Sequence, residues 1–166
     1  MAYTAASIAN AFLTRSFRDK NPISPMKIQK LVYLAHGYAL VERDDPILDE
    51  VFEAWKFGPV LDSLYHECKR YGRDTIPEYI CDIDPITGRK SPAPIPTEND
   101  INDIIDFVWE NYGTDSAISL SDWTHIKGGP WDRVTNGGRD ILRHLDVPNE
   151  YIKEYFKEHM YAEEPA

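Results

Sequence analysis

Cysteine is scarce: Cys68 and Cys81 are the only two in 166 residues, too few for a disulfide framework or a four-cysteine metal site. Long apolar runs are missing too. None approaches the ~18 residues needed to cross a bilayer. The amino-terminal MAYTAASIANAFLTRSFRDK has neither the basic lead nor the continuous apolar stretch of a secretory signal. These absences point to a cytoplasmic protein with free thiols and no membrane partner. Positive charge is also short, since 18 Lys and Arg face 28 Asp and Glu for a net charge of -10. A non-specific nucleic-acid binder needs the opposite surplus to displace counterions from phosphates. Nucleic acid is therefore a disfavoured partner, whereas an acidic surface speeds encounter with basic proteins.

Patterns that carry chemistry are equally thin. No H-E-x-x-H or C-x-x-C occurs, and His36, His66, His125, His144 and His159 do not pair at metal-ligand spacing. No metal or cofactor is expected. Gly128-Gly129-Pro130 lacks the Gly-Lys-Ser/Thr ending of a phosphate loop, and Asn136-Gly137-Gly138 reads as a turn. Two stretches come nearest to a reactive site. In AWKFGPVLDSLYHECKRYG (residues 54–72), a helix from Pro59 to Tyr71 has Leu61, Leu64, Tyr65, Cys68 and Tyr71 on its apolar stripe. His66 then lies roughly 160° from Cys68, so the two cannot share a metal. In SLSDWTHIKGGPWD (residues 119–132), Ser121 and His125 share a helix face, with Asp122 three residues before the histidine. One reading is a small hydrolase using His125 with Ser121 or Asp122. The other is a helix that Asp122 caps while Thr124 or His125 bonds to the following turn. The second fits better, because no G-x-S-x-G elbow accompanies the serine.

What the chain does contain is helical periodicity and aromatic rings. Thr4 is placed to cap a helix to about Phe17. Ser24 and Pro25 open another to about Val41, apolar around most of its girth and therefore expected to be central. Thr97 with Asp100 resembles a capping box for a helix that Gly113 stops. Ser119 with Asp122 opens a shorter helix, and a last one runs from about Asn149 to Met160. Val51 to Phe57 suits a short extended segment. Arg73 to Pro96 holds five of the 12 prolines and reads as a loop or a hairpin around Ile83 to Gly88. The predicted fold is mainly α: residues 1–166 form a single helical domain of about six helices with a few short strands or a small hairpin. Residues 73–97 are a Pro-rich loop or hairpin, and no separate DNA-binding domain is expected. Trp, Tyr and Phe number 4, 10 and 6, several at positions a small core need not fill. Trp and Tyr are frequent interface anchors, which makes Tyr33, Trp55, Phe57, Tyr65, His66, His125 and Trp131 the candidate partner-binding residues.

Five phrases in order carry a family resemblance: Lys30-Leu31-Val32-Tyr33, Glu53 through Val60, Leu120-Ser121, Thr124-His125 and Gly129-Pro130-Trp131. Their order and spacing resemble the Panacea, or SocA-like antitoxin, domain of bacteria and phages. The likeness spans nearly the whole chain, to Ile152-Lys153-Glu154-Tyr155-Phe156. The resemblance implies a non-enzymatic antitoxin of a type II toxin–antitoxin pair. Such a protein neutralises a cognate toxin encoded beside it by direct binding. The alternative it implies is an adaptor that delivers the toxin to an ATP-dependent protease. The matching motif positions are Lys30, Tyr33, Trp55, Gly58, Pro59, Thr124, His125, Pro130 and Trp131.

Overall fold

Residues 2–142 and 144–160 are described by a computed structural model. Helix α1 (Ala5–Asp19) opens as its sequence predicts, with the Thr4 hydroxyl accepting the Ser7 amide. Ser24 caps α2 (Pro25–Glu42) by accepting the Lys27 amide, and Pro25 occupies the first turn, where its missing N–H is not needed. Every residue of α2 from Lys27 to Leu40 is buried. The expectation of a central helix holds: α1, α3, α4, α5 and α7 all pack around it. Next come β1 (Phe52–Trp55), β2 (Gly58–Val60) and α3 (Asp62–Cys68), which runs on into a 3₁₀ turn at Lys69–Tyr71. Strands β3 (Cys81–Ile83) and β4 (Lys90–Pro92) follow, then α4 (Asn99–Tyr112), α5 (Ala117–Thr124), α6 (Pro130–Thr135), β5 (Asp146–Val147) and α7 (Asn149–His159).

The protein is mainly helical, with seven α-helices among the described residues and two small antiparallel sheets. One sheet has the order β2-β1-β5, with Trp55 opposite Gly58 and Glu53 opposite Val60. The other is the β3-β4 hairpin, within the proline-rich segment that reads in sequence as either a loop or a hairpin. Asp84 builds its turn: one carboxylate oxygen accepts the amides of Ile86 at 2.8 Å and Thr87 at 3.2 Å. Asn10 of α1 ties the base of the hairpin down. Its amide nitrogen donates to the Ile80 and Ala93 carbonyls, and its oxygen accepts the Ile80 amide at 2.8 Å.

Several boundaries differ from the sequence reading. Gly58-Pro59 does not start a helix but forms strand β2. Gly58 has φ +112°, outside any right-handed helix, and Pro59 is tolerated because β2 is an edge strand with one side free of ladder bonds. Helix α3 therefore starts at Asp62. Thr97 does not cap α4; the capping position is Glu98, without a side-chain cap bond. Ser116 instead of Ser119 caps α5 and accepts the Ser119 amide. Helix α6, six residues long, is too short to leave a periodic signature. At the C-terminal end, Phe156 of α7 lies against Gly37 of α2, where any Cβ would overlap its ring.

Candidate functional site: a clamped aromatic turn

The motif positions converge on the tight turn between β1 and β2, Trp55-Lys56-Phe57-Gly58. Four side chains, distant from it in sequence, bond to backbone carbonyls of this turn or of Pro59 just beyond it. The Trp131 indole donates to Trp55 O at 2.7 Å, and the His125 Nε2 nitrogen bonds Lys56 O at 3.0 Å. The Ser121 hydroxyl donates to Phe57 O at 2.9 Å, and the Lys30 ammonium donates to Pro59 O at 3.1 Å. Gln29 extends the grip to the next residue but one, exchanging both of its amide groups with the Leu61 backbone at 2.9 and 3.0 Å. A turn whose carbonyls are held by buried donors cannot relax into water without leaving those donors unpaired. The turn is rigid for that reason.

Each clamp residue is fixed in its own right. Thr124 donates to Ser121 O at 2.7 Å, and His125 Nδ1 reaches the same carbonyl at 2.6 Å. Both ring nitrogens of His125 thus face carbonyl oxygens, and the ring packs on Trp131 with centroids 4.2 Å apart. Lys30 is 1% exposed, and burial pushes its amine down to about 7. Gly58 makes room for this arrangement: a Cβ there would stand 2.6 Å from the Thr124 hydroxyl and 2.7 Å from the Lys30 nitrogen.

Serine and histidine are therefore not arranged as a nucleophile and its base. Ser121 Oγ gives its proton to Phe57 O, and His125 reaches the Ser121 backbone rather than its hydroxyl. Asp122 is exposed. Cys68 is buried, and its thiol is pushed up to about 11 by burial, then by Glu67, the reverse of an activated thiol. Among the described residues no group of three or more His, Cys, Asp or Glu is placed to hold a metal ion.

The candidate partner-binding residues separate into two sets. Trp55, Phe57, Tyr65 and His66 surround the turn at the surface. Phe57 is 57% and Tyr65 42% exposed, and the Trp55 and Tyr65 rings lie 4.8 Å apart. Tyr33 and Trp131, in contrast, are 2% and 6% exposed. Tyr33 packs edge-on against Phe52 and Phe156, and its phenol is held far above its ordinary pKa by burial, with a further push from Tyr155. Trp131 and His125 act on the turn from behind.

Two clefts flank Trp55. The first, of about 260 Å³, lies between the start of α2, the turn and α3, and its walls include Met26, Phe57 and Tyr65 with Lys30 and Lys69. The second, of about 470 Å³, is lined by Glu53, Asp62, His66 and His144, with Lys56, Ile141 and Leu142. In it Glu53 accepts from the Trp55 indole at 3.0 Å, and His66 lies 3.3 Å from Asp62. The sequence reading left Lys69, Met26 and Gln29 out of the site. Gln29 and Lys30, side by side in the fully buried middle of α2, were the available signal, because buried polar groups on such a helix must have partners.

The structure is a mainly helical scaffold that holds an aromatic turn, with its polar motif residues turned to the backbone. Residues 28–132 match the family described as "Antitoxin SocA-like, Panacea domain". Over 154 residues the chain is 34% identical to Antitoxin SocA of Caulobacter vibrioides (strain NA1000 / CB15N), covering 92% of this chain and 82% of that protein. No solved structure matches. The chain belongs to the SocA-like antitoxin family, whose members are typically non-enzymatic.

Proposed function

We propose that this protein is the antitoxin of a type II toxin–antitoxin pair and neutralises one cognate protein toxin in the cytoplasm by covering its surface. The observation that supports this most directly is the clamped turn. Ser121, Thr124, His125 and Lys30 hold backbone carbonyls instead of facing a substrate, while Phe57 and Tyr65 are left in solvent. Exposed rings on a rigid support give contact area at low entropic cost on binding. The net charge of -10 adds a field that draws in a basic partner. Neutralisation is by occlusion, with the partner-facing residues Trp55, Phe57, Tyr65 and His66.

Co-expression with the product of the neighbouring gene tests this reading through growth rescue and co-purification. The expected outcome is rescue with a stoichiometric complex and an unchanged toxin half-life. Phe57→Ala should leave folding intact yet weaken the complex by about tenfold or more. A toxin that is degraded faster in the presence of this protein would instead favour delivery to a protease. Absence of any complex would remove the antitoxin reading.

A further inference from the structure

We propose that the cleft between Trp55, Phe57 and Tyr65 takes one large apolar side chain of a partner protein that carries a carboxylate beside it. The inference rests on the antitoxin reading for the partner's identity as a toxin, and it names the chemistry that the partner presents.

Size is the first argument. The cleft holds about 260 Å³, just under the ~300–1,000 Å³ of pockets that enclose drug-sized ligands. It suits a single side chain. Its walls are the second argument. Met26, Trp55, Phe57 and Tyr65 give aromatic and thioether surface, the material of interface anchors. The wall on the turn side is the clamped one, so the cleft is already formed before a partner arrives, which favours binding.

Charge decides what accompanies the apolar group. The chain has 28 acidic residues against 18 basic ones, yet this cleft is lined by Lys69, with the buried Lys30 behind it committed to Pro59 O, and among the described residues by no carboxylate. Lys69 is exposed and reaches His66 Nδ1 at 3.3 Å, a weak contact that a carboxylate would replace. The first turn of α2 also lines the cleft through Pro25 and Met26, and the start of an 18-residue helix favours a negative group. Across Trp55 the second cleft carries Glu53 and Asp62. The second cleft thus has two carboxylates beside its one lysine, Lys56, where the first has none, so an acid in a reversed orientation would meet like charge. An apolar side chain with an adjacent acid meets the first cleft in one orientation only.

The test is a nuclear magnetic resonance titration of the isotopically labelled full chain with three indole probes. N-acetyl-L-tryptophan carries the carboxylate, N-acetyl-L-tryptophanamide is neutral, and tryptamine is cationic. The acid is expected to shift the Trp55 indole and the amides of Met26, Phe57, Tyr65 and Lys69. It should bind about three- to fivefold tighter than the amide, the size of a partly screened ion pair, with tryptamine weakest. Lys69→Gln should bring acid and amide level, while Tyr65→Ala weakens all three probes. Equal binding of the three, preference for tryptamine, or shifts centred elsewhere would overturn the proposal. The titration needs no toxin. Probe binding in the expected order without a toxin complex would uphold the cleft and defeat the antitoxin reading. A toxin complex indifferent to Lys69→Gln and Tyr65→Ala would uphold the antitoxin and remove this cleft as its anchor.

Discussion

Lys30 is an amine inside the core, and its environment makes the stability of the protein depend on pH. In the unfolded chain its amine has its ordinary value of 10.5, whereas burial brings the folded value to about 7. Between those values the unfolded state binds the extra proton, so stability rises with pH across this window by at most about 1.4 kcal/mol per unit. The contribution is complete above 10.5 and lost as the pH falls to about 7. Tyr33 acts in the opposite direction near its ordinary value of 10.0, because burial keeps its phenol protonated in the fold while the unfolded chain ionises. Urea unfolding between pH 7 and 9.5 should therefore show a rising midpoint, and Lys30→Met should flatten it. Gly58 makes a second prediction at this scale. Alanine there would have to adopt φ +112° and press on Thr124 and Lys30. Gly58→Ala should lose about 2–4 kcal/mol of stability by the same measurement, from backbone strain and displaced buried polar groups.

Among the elements, the β3-β4 hairpin stands apart from the helical body. Ile83 and Ile86 on it are exposed, and its base is held to α1 through the three hydrogen bonds of Asn10. Asn10→Ala would leave buried backbone groups of Ile80 and Ala93 without partners. A loss of about 2–4 kcal/mol is expected, with faster hydrogen exchange at 80–93 than in α2. Uniform exchange across both regions would show that the hairpin does not depend on this contact. The sequence admitted the hairpin as one of two readings, through its prolines and the Asp84 to Gly88 turn. Its attachment was not legible, since residues 10 and 80 are paired only by the fold.

At the scale of the whole molecule, charge acts over distances that individual contacts do not reach. A net charge of -10 predicts that association with a basic toxin slows as salt rises, while dissociation changes less. Stopped-flow mixing at roughly 0.05 and 0.5 M salt checks this, given a Debye length near 10 Å at 0.1 M. Equal association rates would remove charge as the steering force. The helical body that carries this charge was largely readable beforehand, because caps such as Thr4 and Ser24 and the stripes of α4 and α7 are local features of a few consecutive residues.

The sequence alone determined the helical class, the central place of α2 and the family, and it left the proline-rich segment open between a loop and a hairpin. These follow from caps, periodicity, turn chemistry and ordered motifs, all of which act between near neighbours. Tertiary structure decided what the motifs are for. The side chains that hold the β1-β2 turn and Pro59 lie 29, 64, 69 and 76 residues from the carbonyls they reach, a distance at which spacing carries no geometric information. Only packing could show that Ser121 and His125 hold a backbone turn and that Tyr33 and Trp131 lie inside. The same packing leaves Phe57 and Tyr65 in water, because the clamped turn carries them beyond the reach of the core.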